Sequence, residues 1–191
     1  MRPVVTRKHP RIDLPDGLEL RGWRQDDAGP FLLAQKDALV ERYAGFLLVD
    51  RADALQTVQR YAAAYADGDG VAWAISGRGG DLVGSLRFAL HDSGLGCGSV
   101  GYWLAPEVRG RGVAATALLL GTRFVFERLG WHRVELSHAV ENERSCAVAR
   151  RAAYKAEGVL RDGMRYPVDD RWSDEHLHAR LVGDPDPLDR A

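Results

Sequence analysis

A chain of 191 residues, 46% hydrophobic and 28% charged, has the size and composition of one globular domain with a sizeable core. Its 26 basic and 27 acidic residues leave a net charge of −1, so no global field calls for nucleic acid or an anionic membrane. Cys97 and Cys146 are the two cysteines, without C-x-x-C or a His/Cys ligand spacing; neither a disulfide framework nor a metal site is signalled, and a reduced cytoplasm fits.

Residues 1–16 read as a polar N-terminal arm: basic, with Pro3 and Pro10 and no apolar h-region. With no 18-residue apolar run anywhere, the expectation is a soluble, unexported protein. The alternation in Leu18–Trp23 (L-E-L-R-G-W) predicts a first strand. Asp26 or Asp27 can cap a short helix through about Asp37, with Pro30 tolerated in its first turn. Asp53 can cap another, since Leu55, Val58, Tyr61, Ala62 and Tyr65 share a face up to the G-D-G stop at Gly68–Gly70. Val71–Ser76 and Leu82–Leu90 then predict a hairpin over G-R-G-G-D.

The stretch Gly98–Ala105 (G-S-V-G-Y-W-L-A) is rich in β-branched and aromatic residues, and Pro106 ends it as a strand. R-G-R-G-V-A follows, Arg109 to Ala114. Next, Val113, Ala117, Leu120 and Phe124, with Leu118, Val125 and Leu129, mark one face of a helix stopped by Gly130. The glycines thus sit where a helix begins, leaving its first N–H groups unpaired at a partially positive terminus that suits a phosphate; Arg109 and Arg111 add two guanidinium forks. Neither G-x-x-x-x-G-K-[ST] nor the full G-x-G-x-x-G is present, which disfavours the two common nucleotide loops. Arg133–Val140 alternates as a strand, Asn142–Glu157 reads as a helix closed by Gly158, and Val159–Tyr166 with Glu175–Leu181 as a last strand pair. The tail after Val182 reads as frayed. This order predicts a mixed α/β sheet with helices on both faces.

G-Y-W-L-A-P-E-V-R-G-R-G-V-A, the helix, W-H-R-V-E-L, V-E-N-E-R-S and A-E-G-V-L-R together resemble the GNAT (GCN5-related N-acetyltransferase) superfamily, in its ribosomal-protein alanine N-acetyltransferase (RimJ/RimL) branch. The resemblance runs from about Gly17 to Val182. It implies a GNAT fold, a mixed, mostly antiparallel sheet of six to seven strands, with a single N-acetyltransferase domain over 17–183 and a flexible tail over 184–191. It implies acetyl-CoA as cosubstrate, with Leu104 and Ala105 offering backbone groups to pantetheine and Arg109, Gly110, Arg111, Gly112, Val113 and Ala114 wrapping the pyrophosphate. Asn142 would face the pantetheine arm and Ser145 would lie near the sulfur. The expected partners are acetyl-CoA and an amine acceptor, with no nucleic acid and no membrane; a homodimer is compatible.

Acetyl transfer from a thioester to an amine needs a neutral amine, donors at the carbonyl oxygen and a proton for the departing thiolate. Ser145 is the candidate donor, set against an ordinary first-turn serine, and Asn142 is equally an N-cap. Many relatives outside this branch carry a tyrosine acid at the place of Ala149; Tyr154 falls instead at a core position. His138 is the candidate base, because an imidazole accepts a proton at neutral pH; Glu41, Asp50, His91 and Glu135 are weaker. An α-amine, with a pKa of about 7.7–8.0, needs little help. The expected reaction is direct attack, without a metal and without a covalent intermediate, on a protein N-terminus. The competing expectations are transfer to a small amine, a lysine acyltransferase using a larger acyl group, and a non-catalytic acyl-CoA sensor. Both cysteines are expected to be structural, since nothing supplies an activating histidine at an interpretable spacing.

Overall fold

The run G-V-A-W-A-I-S forms strand β3 (Gly70–Ser76), and all seven residues are buried, which is why it carries apolar side chains on both faces. In this computed structural model the described residues are 8–77 and 79–190. Residues 1–7 of the predicted arm, Arg78 of the predicted G-R-G-G-D turn and Ala191 lie outside them.

Around β3 are β1 (Ile12–Asp13), β2 (Glu19–Arg21), β4 (Leu82–Asp92), β5 (Cys97–Leu104), β6 (Arg133–Ala139), β7 (Lys155–Tyr166) and β8 (Arg171–Leu181). They make one sheet in the order β1-β2-β3-β4-β5-β6-β8-β7. Every neighbouring pair is antiparallel except β5–β6. The sheet has eight strands where six to seven were expected. The additional one comes from the arm, whose Ile12 and Asp13 pair with Leu20 and Glu19. The arm is further tied down where Trp73 Nε1 donates to the Pro10 carbonyl at 2.9 Å.

Helices cover both faces. On one lie α1 (Ala28–Ala34), α2 (Ala38–Tyr43) and α3 (Arg51–Asp67). Phe31, Val58 and Tyr61 pack there against Ala72, Ala74 and Trp103, with the rings of Phe31 and Trp103 stacked at 5.7 Å. On the other face α4 (Val113–Leu129) and α5 (Glu143–Arg151) seat Leu118, Val125 and Ala149 in a cluster with Leu86, Phe88, Val134 and Leu136. Helix α4 is the crossover that parallel β5 and β6 require. None of the described helices is long and apolar enough to cross a membrane.

Three boundaries differ from the sequence reading. Asp37 is not a helix end: its side chain accepts from Leu39 N and Val40 N and so caps the unpredicted α2. The cap of α3 is Asp50, which accepts from the N–H of Asp53 at 2.9 Å. Helix α5 stops at Arg151 rather than Glu157, since Ala153 turns left-handed (φ 62°) and Tyr154 N closes on Ala149 O; Lys155 then pairs with Ala179 of β8. Ladder pairing along a long partner strand outweighs the helix propensity of A-Y-K-A-E. The expected tail carries a 3₁₀ turn at Pro187–Arg190, and Arg123 pairs with Asp186 at 2.8 Å and with Asp189.

Candidate functional site

Strands β5 and β6 pair over three residues only, Cys97–Ser99 with Arg133–Glu135. Past that point β5 remains bonded to β4 as far as Leu104, and β6 to β8 as far as Ala139, but not to each other. Two strands with one edge satisfied and the facing edges released must leave backbone donors and acceptors exposed between them. The seam opens into a cavity of about 1100 Å³, lined on one side by Tyr102 and Leu104 and on the other by Leu136, Ser137 and His138.

One end of the cavity is the start of α4. Gly110 and Gly112 have φ of 74° and 79°, the left-handed region that glycine enters without strain. Gly112 is the N-cap and no side chain among the described residues caps the helix, so Val113, Ala114 and Ala115, which border the cavity, have N–H groups without a helical partner. A 17-residue helix concentrates a partial positive charge there. Five arginines (Arg60, Arg87, Arg109, Arg144, Arg151) border the cavity against one carboxylate, Glu175.

Arg109 is engaged within the chain. Its Nε donates to the Leu104 carbonyl at 2.9 Å, and its Nη atoms bond Asp37 Oδ2 at 3.1 Å and Oδ1 at 2.5 Å. This guanidinium holds the Asp37 carboxyl below the usual aspartate range. Arg109 therefore bolts the glycine loop to the end of β5 and to the cap of α2, because a carbonyl at a strand end and a capping carboxylate are both acceptors within its reach. Arg111 pairs with Asp16 at 2.7 Å, on the surface, and neither it nor Ala105 borders the cavity. The other predicted loop residues do.

At the seam, Asn142 Oδ1 accepts from Ser145 N at 3.2 Å, so the helix cap is supplied by Asn142 and the Ser145 hydroxyl is free for something else. That Oγ lies 3.0 Å from Tyr102 Oη. Burial pushes the Tyr102 phenol up to about 12, so it stays protonated at neutral pH. Nothing in the sequence singles out Tyr102 within its strand; its register on β5, on the α5 face, is the signal that could have found it. Tyr154 is core as expected, with its Oη 2.6 Å from Thr122 Oγ1, and Ala149 is fully buried. On the opposite wall Tyr166 Oη donates to Glu175 Oε1 at 3.0 Å, a buried pair that the sequence reading passed over.

His138 borders the cavity but is 5% exposed. Its Nδ1 donates to the Ala139 carbonyl at 2.9 Å, and burial lowers its pKa, keeping the ring neutral. Both thiols are free, Cys97 half-buried and Cys146 buried.

Residues 17–155 match the family described as "Acetyltransferase (GNAT) domain". The chain is 35% identical over 85 residues, 44% of its own length, to the putative ribosomal N-acetyltransferase YdaF of Bacillus subtilis (strain 168), and the match spans 46% of that protein. Among solved structures it is similar to RimL, a ribosomal L7/L12 α-N-protein acetyltransferase in complex with coenzyme A, at 21% identity and a TM-score of 0.80. That match covers 90% of this chain and 98% of the other. Mycobacterium smegmatis RimJ, in complex with CoA-disulfide, is 25% identical with a TM-score of 0.78, covering 90% and 86%.

Proposed function

The chain belongs to the GNAT acetyltransferase family, and from that premise we propose that it moves an acetyl group from acetyl-CoA to a primary amine, a protein N-terminal α-amine in particular. The observation that carries this reading is the seam itself: two parallel strands released from each other beside an uncapped helix N-terminus in an arginine-rich wall. A long, polyanionic coenzyme with an amide-bearing arm fits such a place. The N–H groups of Val113–Ala115 and the guanidinium groups of Arg144 and Arg151 would hold phosphate oxygens, and the open edge of β5 up to Leu104 would hold the amides of the arm. Arg109 acts on phosphate through the loop it anchors.

When bound, acetyl-CoA supplies an activated acyl group and a thiolate leaving group. Ser145 and Tyr102 form the proton-donating pair at the seam: either hydroxyl can donate to the other, the phenol stays protonated, and in the arrangement where Tyr102 is the donor the Ser145 hydroxyl is left to donate toward a developing negative charge. Asn142 fixes the first turn of α5 and thereby the position of that hydroxyl. Glu175, the one carboxylate among the described residues that border the cavity, attracts a cationic amine from the wall it shares with Tyr166. An α-amine is substantially neutral near pH 8, with a pKa of about 7.7–8.0, and attacks without a dedicated base; as the N–C bond forms and the C–S bond breaks, the surplus proton on nitrogen leaves to water and solvent restores the one given to sulfur. The acceptor class is supported by the likeness to YdaF and RimL, and a cytoplasmic location goes with that reading.

The test is acetylation, followed by mass spectrometry, of a panel of peptides with free α-amines, N-blocked peptides bearing lysine, and small polyamines or aminoglycosides. The expected outcome is label on α-amines, with kcat/KM rising as the pH passes about 8. Label confined to lysine or small amines overturns the acceptor; coenzyme binding with no label on any amine overturns the enzyme reading.

A further inference from the structure

Opposite pairing in the β6–β8 ladder places His138 beside His176 and Leu136 beside His178. Because side chains alternate along a strand, His138, His176 and His178 all project from one face of the sheet, the face on which α5 packs. From α5, the buried Cys146 points down among them. Three elements thus deliver three imidazoles and a thiol to one spot, with one donor atom from each within 4.8 Å of a donor atom from every other. The rings lie close together: His138 is stacked on His178 at 5.2 Å and stands edge-on to His176 at 5.4 Å.

The hydrogen bonding of His138 is that of a metal ligand, and the other rings leave nitrogens unpartnered. His138 Nδ1 donates to the Ala139 carbonyl, which fixes the tautomer and leaves a lone pair on Nε2; this Nε2 is buried and has no partner among the described residues. His178 Nε2 faces Cys146 Sγ at 3.7 Å, and His176 Nδ1 and His178 Nδ1 are two further buried nitrogens without a partner among the described residues. More than nine-tenths of buried polar groups in folded proteins find a partner, so a local concentration of unpartnered ring nitrogens around a thiol calls for an explanation. A carbonyl bonded to the far nitrogen of an imidazole is the usual arrangement behind a metal-bound histidine.

We propose that His138, Cys146, His176 and His178 bind one divalent transition-metal ion of the zinc class, in a closed four-coordinate site beneath the wall of the cavity. One thiolate and three imidazoles select a borderline-soft ion over magnesium or calcium, which take oxygen ligands. Metal–ligand distances of about 2.0–2.3 Å put tetrahedral donors roughly 3.4 Å apart, so the set draws together by about 1 Å on binding. Cys146 binds as thiolate, and its proton leaves to solvent. The ion staples α5 to β6 and β8, and thereby holds Ser145, the neighbour of Cys146, at the seam. His138, a base candidate on sequence grounds, serves as a ligand through Nε2. The proposal rests on the register and the four side chains, independently of the reaction assigned to the cavity.

The experiment uses the full chain without a histidine tag, stripped with a chelator under reducing conditions and titrated with Co²⁺, then Zn²⁺. One equivalent of Co²⁺ should give the visible bands of a tetrahedral ion with a thiolate charge-transfer band; Zn²⁺ should displace it and raise Tm. Cys146→Ser should lose the charge-transfer band, and His178→Ala should weaken Zn²⁺ by more than about 100-fold, beyond what loss of an outer partner causes. His176→Gln keeps the bulk of the ring if the alanine variant does not fold, and the wild-type spectrum needs no variant. A folded wild type with no tetrahedral Co²⁺ spectrum, or a Zn²⁺-dependent rise in Tm that survives undiminished in Cys146→Ser and His176→Gln, overturns the site.

Discussion

The two limbs of the sheet on either side of the seam are built on different chemistry. Before it, β3 and β4 bury Val71, Trp73, Ile75, Leu86 and Phe88, almost all of them inaccessible to solvent. Beyond it, the buried positions of β6 and β8 include His138, Ser173, Glu175, His178 and Arg180. Apolar burial is additive and indifferent to orientation, so the first limb can be rigid without being particular. Buried polar groups must each find a partner in a set direction, so the second limb fixes positions at a cost in stability. The candidate chemistry sits where the two meet. The first limb supplies a scaffold, the second supplies placement.

The largest effect should come from breaking the apolar limb. Trp73 is fully buried, with Phe88 and Phe124 edge-on to its ring, and Trp73→Ala should cost about 3–5 kcal/mol in a denaturant melt. Acetyl transfer by the fraction still folded should change little; a variant of normal stability would refute the contrast.

Ser145→Ala reverses the pattern. Its hydroxyl should contribute mainly as charge develops in the transition state, so kcat should fall by about 10²–10⁴-fold with KM for acetyl-CoA nearly unchanged. Stability should hold, because the capping bond from Asn142 runs to the backbone N–H and survives the substitution. Tyr102→Phe should show part of the same loss. Steady-state kinetics beside a melt distinguishes this from a structural serine, whose loss would leave kcat intact.

Gly112→Asp probes the end of the seam. Coenzyme at 100 times its Kd should stabilise the wild type by about 2.7 kcal/mol. A carboxylate at the N-cap of α4 should abolish that thermal shift, since it places negative charge where phosphate oxygens belong. An undiminished shift would move the coenzyme elsewhere.

The smallest effect concerns the Asp37–Arg109 bolt. The folded Asp37 pKa lies below its ordinary 3.8, chiefly through the hydrogen bond from Arg109. A depressed carboxylate contributes stability above its unfolded pKa and loses it as pH falls through the folded value. The gap in Tm between wild type and Asp37→Asn should therefore be constant from pH 7 to about 4 and close below pH 3.8. A gap that widens in acid would contradict the pairing. Arg109→Ala should raise KM for acetyl-CoA by loosening the loop, more than it lowers kcat.

Much of this molecule is legible along the chain, and the boundary of legibility is physical. The glycine loop could be read because its meaning is local: φ-permissive residues between a strand and a helix, within six consecutive positions. The helix α4 could be read because hydrophobic period reports a face whatever lies opposite, and β3, apolar on both faces, because the glycine-rich turn after it marks a hairpin. The pairing of Arg109 with Asp37 could not be read for the opposite reason, since only the fold brings together two residues 72 positions apart. The end of α5 was misread because helix propensity in Ala152–Glu157 is weak beside a ladder with β8 that no local window contains.

The sequence by itself determined the order of the elements apart from β1 and α2, the position of the glycine-opened helix terminus and the presence of a serine and an asparagine at the start of α5. Those depend on residues a few positions apart. Tertiary structure alone decided that β5 and β6 part after three pairs, that Tyr102 meets Ser145 across 43 positions, and that the histidines of β6 and β8 converge on Cys146. Each of these is a meeting of side chains from different strands and helices, and registers between distant strands are set by the burial of a whole sheet rather than by any one segment of it.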